Sequence, residues 1–280
     1  MKRWLLALAV LATSCANLDA FLFNPTRVSA YTLPYDSDAP AAWHVSPELV
    51  DAVTALAADG TPVYGYYLRQ TGAAAAAAPT VLYCHGNADN IDRYWTRVGH
   101  LHSLGVNVLI FDYRGYGRTE GRPTEAGLYQ DARAMLGLLR GPPYSVPALR
   151  LYIYGYSLGG AVAAELAAHD GPNAGLVLES TFASAAALVE DASLFVPSSM
   201  LTRIVFDTRG KMPEAARNAG GGILLFHGTA DDFVRPEHSQ RIDAAIPAPY
   251  AHELVLAPGA DHGTVPLDAH YDTKLRAFLR

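Results

Sequence analysis

The feature that most constrains this chain is a Gly-x-Ser-x-Gly motif, Gly155-Tyr156-Ser157-Leu158-Gly159, placed between a strand-like and a helix-like run. The apolar run Leu151–Tyr154 precedes it, and the alanine-rich stretch Gly160–His169 follows it. A strand that turns sharply into a helix leaves the central side chain exposed at the strand's end. Glycine is expected on both sides because a Cβ would clash in so tight a turn. A serine that only caps the helix is the plain alternative, but this setting favours a nucleophilic Ser157.

Length and composition predict one large α/β domain with a sizeable core. The chain has 280 residues, of which 50% are hydrophobic and 17% charged, and this composition argues against disorder. The net charge is −6 and no Lys/Arg run follows the first three residues, so we expect no nucleic-acid partner. Two cysteines, Cys15 and Cys84, are too few for a zinc framework. We expect no metal and no other cofactor.

Strand-like and helix-like segments alternate along most of the chain. A hairpin is predicted over Val50–Leu56 and Pro62–Leu68. Six further buried strands are predicted over Thr80–Tyr83, Val106–Phe111, Leu151–Tyr154, Gly175–Leu178, Ile223–Phe226 and His252–Leu256. Helices are predicted over Ile91–Leu104, Glu125–Leu139, Leu158–His169, Pro236–Ile246 and Pro266–Leu279. Continuous apolar strands separated by helices indicate an α/β fold with a mostly parallel eight-stranded sheet and helices on both faces.

The interval around residues 181–221 is longer than a single crossover between two strands requires. It contains three apolar groups, Phe195–Pro197, Met200–Leu201 and Ile204–Phe206. We predict a small lid in this interval, together with one crossover helix. Plain packing of helices against the sheet is the alternative.

A serine hydroxyl needs a base to remove its proton, and that base needs an acid to hold its tautomer. In this strand–turn–helix context the expected chain order is Ser, then Asp or Glu, then His. Asp231 follows the run ending at Phe226, and His262 follows the run ending at Leu256. Both lie just past strand ends, where open α/β sheets gather ligands. The sequence therefore predicts Ser157, Asp231 and His262 as nucleophile, acid and base.

Other acids and histidines near these motifs have plainer interpretations. Asp232 is expected to be solvated or to cap a helix, and Asp261 to belong to a turn. Glu179, at the end of the preceding strand, is the alternative candidate for the acid of the triad. His85 and His227 each precede a glycine after a strand, and we expect both to make structural hydrogen bonds.

A tetrahedral intermediate requires N–H donors that are positioned for its oxyanion. One donor is expected to be the backbone N–H of Leu158, directly after the nucleophile. The second is expected to be the backbone N–H of Asn87, because the preceding Gly86 permits close backbone approach.

A further glycine-containing loop, Asp112–Gly117, closes the strand ending at Phe111. It is not a phosphate loop, because no Lys-Ser or Lys-Thr follows it. Arg114 in this loop is expected to pair with a carboxylate of the fold, with an acidic substrate as the alternative.

Five motifs together resemble a small-lid subgroup of α/β-hydrolase superfamily serine hydrolases: Leu82–Asn90, Asp112–Gly117, Gly155–Gly160, His227–Asp231 and Gly259–His262. The subgroup includes depalmitoylating thioesterases, monoacylglycerol and lysophospholipid lipases, and serine aminopeptidase-like proteins. The resemblance covers roughly residues 48–280 and implies the α/β-hydrolase fold. The family's nucleophile, acid and base carry over to Ser157, Asp231 and His262.

The expected activity is cleavage of a small-molecule carboxylic ester or thioester through an acyl-enzyme. A serine exopeptidase of the same fold is the first alternative, with Glu120, Glu125 and Asp89 as ambiguous candidates for binding a substrate amino group. A catalytically inactive, membrane-tethered binding protein is the second alternative. The complete set of triad residues argues against it.

The N-terminus has the features of a signal peptide. Two basic residues precede the apolar run Trp4–Ala12, which is too short to span a membrane. The stretch Leu11–Cys15 resembles a bacterial lipoprotein processing site, which implies a lipid anchor at Cys15, although Ala12 stands where leucine is usual. On the same resemblance, Ala16 indicates the outer membrane of the cell envelope. A periplasmic or secreted protein and an uncleaved anchor are the alternatives.

These observations predict three parts of the chain. Residues 1–16 form the signal peptide, residues 17–47 an irregular N-terminal segment, and residues 48–280 the α/β-hydrolase domain.

Overall fold

The computed structural model describes residues 22–36, 38–72, 75–192 and 205–280. The predicted signal peptide over residues 1–16, with Cys15, lies outside the described residues. The apolar groups Phe195–Pro197 and Met200–Leu201 of the predicted lid, and Ile204, also lie outside them.

The strands of the described residues are β1 (Asn24–Pro25), β2 (Val50–Leu56), β3 (Pro62–Leu68), β4 (Thr80–Cys84), β5 (Ala88–Asp89), β6 (Asn107–Phe111), β7 (Leu151–Tyr156), β8 (Gly175–Glu179), β9 (Ile223–Gly228) and β10 (His252–Ala257). The α-helices are α1 (Ile91–Ser103), α2 (Glu125–Arg140), α3 (Leu158–His169), α4 (Ala185–Ala192), α5 (Thr208–Asn218), α6 (Glu237–Asp243) and α7 (Tyr271–Phe278). None of the helices in these ranges combines the length and hydrophobicity that crossing a bilayer requires.

Eight of the strands form one sheet in the order β10-β9-β8-β7-β4-β6-β3-β2. The hairpin strand β3 pairs antiparallel with β2 and β6, and every other pairing in this sheet is parallel. This arrangement confirms the predicted α/β-hydrolase fold with a mostly parallel eight-stranded sheet.

Helices cover both faces of the sheet. One face packs against α1 and α7, and the other against α2, α3 and α5. Strands β4, β6, β7, β8 and β9 are buried at every residue. An interior parallel strand buries side chains on both faces, which explains why these strands are continuous apolar runs in the sequence.

The predicted elements agree with the observed ones within two residues at each end for all eight strands and the first three helices. The last two helices are shorter in the structure than the sequence predicts. The helix predicted over Pro236–Ile246 is α6, which ends ahead of Pro247 because the residue before a proline disfavours helical backbone. In the second, Pro266 belongs to a separate 3-10 turn, Val265–Leu267, and extended backbone at Asp268 separates this turn from α7.

The N-terminal segment packs onto the hydrolase domain at the C-terminal end of β4. Leu22 and Phe23 are buried in the same core cluster as α3. The short strand β1 pairs in parallel with β5, and the Asn24 N–H donates to the Asn87 carbonyl at 2.9 Å. Residues from Leu22 onward are therefore part of the structure around the predicted oxyanion loop.

Candidate active site

Ser157 lies in a strained turn between β7 and α3. Its backbone angles are φ 53° and ψ −119°, a conformation that residues with a side chain rarely adopt. A Cβ on Gly159 would overlap the Cys84 carbonyl, and a Cβ on Gly155 would overlap the Gly159 carbonyl. The Ser157 side chain makes no capping hydrogen bond to α3. The backbone therefore has the geometry expected of a turn that presents a nucleophile, and the Ser157 side chain does not cap the helix.

The neighbouring strand β8 holds this turn in place. The Ser157 N–H donates to the Glu179 carbonyl at 2.9 Å, and the Thr181 hydroxyl donates to the Ser157 carbonyl at 2.7 Å. A Cβ on Gly160 would overlap the Thr181 side chain, so glycine is needed there for this contact.

The structure brings the three predicted residues together at the C-terminal edge of the sheet. His262 Nε2 lies 3.0 Å from Ser157 Oγ, and His262 Nδ1 lies 2.7 Å from Asp231 Oδ2. Ser157 and Asp231 are buried, at 4% and 3% exposure, whereas the His262 side chain is 21% exposed. This series of hydrogen bonds lets the imidazole take the serine proton while the carboxylate accepts the N–H of the other ring nitrogen.

Asp231 is held as an ionised acid. Its Oδ1 accepts the backbone N–H groups of Phe233 and Val234, at 3.1 and 2.9 Å. Burial raises the pKa of the Asp231 carboxyl, but hydrogen bonds from His227 and His262 outweigh burial and hold this pKa well below its ordinary value. The neighbouring Asp232 is exposed.

His227 contacts Asp231 at the same carboxylate oxygen as His262. Its Nε2 lies 2.7 Å from the Val234 carbonyl and 3.2 Å from Asp231 Oδ2. A ring nitrogen facing a carbonyl must carry a proton, so Nε2–H is the donor to Val234, while Nδ1 lies 2.6 Å from the Ser239 hydroxyl. Sequence analysis predicted structural hydrogen bonds for His227, but it did not anticipate that one of them reaches Asp231.

The loop after β4 directs the Asn87 N–H. The Gly86 carbonyl accepts from His85 Nδ1 at 2.8 Å, and the Asn87 carbonyl accepts from the Tyr116 hydroxyl at 2.9 Å. The two groups of a trans peptide point in opposite directions. Because the Gly86 carbonyl faces His85, the N–H of the same peptide, on Asn87, faces the other way.

Leu158 carries the other predicted donor. It is the first residue of α3, so its N–H has no acceptor within the helix and lies at the positive end of the helix dipole. Asn87, Leu158 and Ser157 line one small crevice, so the two residues that carry the predicted donors lie beside the serine.

The rest of this crevice is apolar. Its other lining residues are Leu22, Phe182, Leu188 and Phe233, and no described lining residue carries a carboxylate. The Phe233 ring also packs edge-on against the His262 ring, with centroids 5.1 Å apart. The crevice therefore suits an acyl group better than a charged one.

Arg97 of α1 braces the loop that carries His262. Its Nη1 donates to Glu179 Oε1 at 2.8 Å and its Nη2 donates to the Gly263 carbonyl at 2.6 Å. Its guanidinium carbon lies 4.0 Å from the centroid of the Tyr156 ring, and the Tyr156 hydroxyl donates to the His262 carbonyl at 3.1 Å. Two successive carbonyls of the loop are thus anchored to the body of the fold.

Glu179, the alternative candidate for the acid of the triad, instead pairs with Arg97. Its second oxygen accepts from the Tyr154 hydroxyl and lies 3.4 Å from that of Tyr271. Sequence analysis missed Arg97, although a signal existed. It lies three residues after the buried Tyr94 and four before the buried Leu101, and a charge on an apolar helical stripe indicates a buried ion pair.

We expect Arg97→Met to lower kcat by about 10- to 100-fold with little change in KM, because the imidazole loses its fixed orientation. Arg93→Met, an exposed arginine one turn earlier on α1, is the matched control. Removing one partner of a buried ion pair costs about 3–5 kcal/mol of stability, so kinetics are measured well below the unfolding temperature. The double variant Arg97→Met/Glu179→Gln removes the orphaned charge. Wild-type kcat in a folded double variant would exclude the positioning role.

Two other predicted residues serve the fold. Arg114 donates to both oxygens of the buried Asp131 and, at 2.7 Å, to Asp59, which confirms the carboxylate pairing over a role in substrate binding. Asp261 accepts the backbone N–H of Thr264 at 2.9 Å and is a turn residue, as predicted.

Comparisons with known proteins give the family. A family model described as serine aminopeptidase, S33, matches residues 75–216. An uncharacterised protein of Mycobacterium tuberculosis is 35% identical over 284 aligned residues, which cover 99% of this chain and 95% of that protein. The chain belongs to this family of α/β-hydrolases. The YfhR protein of Escherichia coli K12, also uncharacterised, is 31% identical over 230 residues, covering 81% of this chain and 78% of its own.

Solved structures agree on the fold. The Pyrococcus furiosus esterase Pf2001 superposes with a TM-score of 0.66 at 19% identity, covering 92% of this chain and 97% of the esterase. An α/β hydrolase from Vibrio vulnificus gives 0.66 at 20% identity, covering 91% and 97%. The family match includes Asn87 and Ser157 but ends before Asp231 and His262, so the assignment of the acid and the base depends on the site geometry.

Proposed function

We propose that this S33-family protein is a serine hydrolase that cleaves carboxylic esters or thioesters through an acyl-enzyme. The observation that carries the proposal is the hydrogen-bonded series from Ser157 Oγ through the His262 ring to the Asp231 carboxylate, with distances of 3.0 and 2.7 Å. A binding protein that had lost catalysis would have no need for this alignment at the end of a strained turn.

In the first step, His262 Nε2 removes the proton from Ser157 as Oγ attacks the substrate carbonyl carbon. The ionised Asp231 stabilises the imidazolium that forms. The Asn87 and Leu158 N–H groups receive the oxyanion of the tetrahedral intermediate. When the intermediate collapses, the carbon–oxygen or carbon–sulfur bond breaks, and His262 returns the proton to the alcohol or thiol.

In the second step, water replaces the departed group. His262 removes a proton from the water, and the resulting hydroxide attacks the acyl-enzyme carbonyl. The bond to Ser157 Oγ breaks, the serine recovers its proton from His262, and the acid is released. All proton transfers in this scheme use Nε2 of the His262 ring, the nitrogen that faces Ser157 Oγ.

A serine exopeptidase is the competing function, and the family description favours it. Such an enzyme needs an acid for the substrate amino group, and the described lining of the crevice offers none. Glu125 accepts the backbone N–H groups of Val205 and Phe206 at 2.6 and 2.8 Å, and Glu120 is exposed. Asp89 lies in β5 and does not line the crevice. These observations favour the esterase.

One series of assays distinguishes the esterase from the exopeptidase. We expect p-nitrophenyl esters to be hydrolysed with a kcat/KM that rises from acetate to longer acyl chains, by about 0.8 kcal/mol or roughly fourfold per buried methylene. Aminoacyl-p-nitroanilides should be turned over at least about 100-fold more slowly, because the free amino group would be buried without a partner. Faster cleavage of the anilides would replace the esterase proposal by the exopeptidase.

A further inference from the structure

The crevice beside Ser157 is narrow, and most of its apolar lining is buried. Leu22, Phe182 and Leu188 are only 2%, 2% and 3% exposed. Phe233, which also lines the crevice, is 42% exposed. The crevice therefore opens on the side of Phe233, and we call the three buried side chains its closed end. The free space inside is about 10 Å³, close to what one buried water molecule needs, so a single methyl group fills it.

The acyl part of a substrate has to lie toward the closed end. His262 returns the proton to the leaving group, so the leaving group lies on the side of that ring. Phe233 packs edge-on against His262, with ring centroids 5.1 Å apart, and this contact puts the leaving group at the open side. The carbonyl carbon is bonded to Ser157 in the acyl-enzyme, which leaves the closed end for the acyl chain.

Leu22 is held in place by contacts of its own segment. Asn24 donates its backbone N–H to the Asn87 carbonyl at 2.9 Å. The Phe23 ring packs edge-on against the fully buried Phe206 ring, with centroids 6.1 Å apart. These contacts fix the backbone directly after Leu22. A side chain in so densely packed a core cannot make room for extra methylene groups without straining its neighbours.

We infer that the enzyme cleaves short acyl groups, of roughly two to four carbons, and that Leu22 of the N-terminal segment sets this limit. An acetyl group places its methyl group in the free space. The partly exposed Phe233 ring is able to turn aside for one or two further carbons next to the carbonyl, but the closed end is not. The gain in kcat/KM per buried methylene therefore ends near the butyryl ester. The inference rests on the proposed hydrolase function, since it specifies the acyl part of that function's substrate.

Leu22→Ala tests the limit, with p-nitrophenyl acetate, butyrate and hexanoate as substrates of the full chain. In the wild type we expect kcat/KM on hexanoate to be at least about tenfold below that on butyrate, because the longer chain overpacks the closed end. The alanine removes the branched end of the Leu22 side chain, so the two additional methylene groups of hexanoate are buried. At roughly fourfold per methylene, kcat/KM on hexanoate should rise about 16-fold, while that on acetate changes little.

Leu136→Ala is the matched control. Leu136, on α2, is also 2% exposed and belongs to the same core cluster as Leu22, but it does not line the crevice. We expect this variant to have a lower Tm, as Leu22→Ala does, and to keep the wild-type order of the three esters. Leu22→Val removes less of the side chain and replaces the alanine variant if that one does not fold, with an expected rise of about fourfold on hexanoate.

A binding measurement makes the test independent of turnover. Butyrate and hexanoate are the acids that the reaction releases, and a ligand that binds only the folded state raises the Tm of the protein. We expect butyrate to raise the Tm of the wild type and of Leu136→Ala. Hexanoate should raise the Tm of Leu22→Ala alone.

The outcomes separate this inference from the hydrolase function. A wild type that hydrolyses hexanoate faster than butyrate would overturn the inference. An unchanged order of the esters in folded Leu22→Ala, or an equal change in Leu136→Ala, would also overturn it. If Leu22→Ala binds hexanoate as expected but neither it nor the wild type hydrolyses any ester, the limit at Leu22 is supported and the hydrolase function is wrong.

Discussion

Replacement of Ser157 by alanine should lower kcat for ester hydrolysis by about 10⁴- to 10⁶-fold, the largest effect expected of any single substitution in this protein. Without Oγ no acyl-enzyme forms, and the oxyanion donors can assist only direct attack by water. The residual rate should follow from binding and from the Asn87 and Leu158 N–H groups alone. Steady-state kinetics with p-nitrophenyl butyrate measure the loss.

Ser180→Ala is the matched control for Ser157→Ala. Ser180 follows β8 as Ser157 follows β7, and it also has a positive φ, of 48°. Its side chain is fully buried and takes no part in the proposed reaction, so activity should stay within a few-fold of wild type. If circular dichroism shows that the Ser157→Ala protein is folded and it still retains most of its esterase activity, the nucleophile assignment is wrong.

Asp231→Asn should lower kcat by about 10⁴-fold while leaving the site in place. An amide offers a donor as well as an acceptor to His262 Nδ1, so the ring can adopt the tautomer in which Nε2 carries the proton and cannot accept one from Ser157. Because the pKa of Asp231 lies well below its ordinary value, the wild-type carboxylate is ionised throughout the neutral range. Raising the pH within that range should not restore activity to the variant.

The control for Asp231→Asn is the adjacent acid. Asp232→Asn makes the same chemical change at an exposed position one residue away, and it should change kcat by less than about twofold. Since surface substitutions are usually within about 0.5 kcal/mol in stability, Asp232→Asn is expected to stay folded. Asp231 is buried, so circular dichroism must show that Asp231→Asn is folded before the two variants are compared. A large loss in Asp232→Asn with a small one in Asp231→Asn would move the acid role to Asp232.

The sequence was sufficient to predict the fold and the residues that meet at the candidate site. Interior parallel strands must be apolar on both faces, so β4 and β6–β9 are recognisable as continuous apolar runs. The strained turn at Ser157 demands glycines at fixed positions. Asp231 and His262 follow strand ends that the parallel topology brings to one edge, so their convergence follows from the order of the sheet.

The contacts that support this site could not be predicted in the same way. Arg97 belongs to α1 and meets Gly263 across a separation of 166 residues, and no local pattern specifies such a pairing. The approach of His227 to Asp231 depends on the path of the loop that follows β9. Leu22 lies in a stretch without strand or helix periodicity, so only the folded structure reveals its position in the crevice.

Labelling with a fluorophosphonate, followed by mass spectrometry of the digested protein, tests the central claim most directly. The reagent forms a covalent bond only with a serine hydroxyl that a neighbouring base activates. We predict one modified peptide, with the phosphonate on Ser157, strongly reduced labelling in His262→Ala, and none in Ser157→Ala. Absence of labelling in folded wild-type protein, or labelling at another serine that persists in Ser157→Ala, would contradict this account.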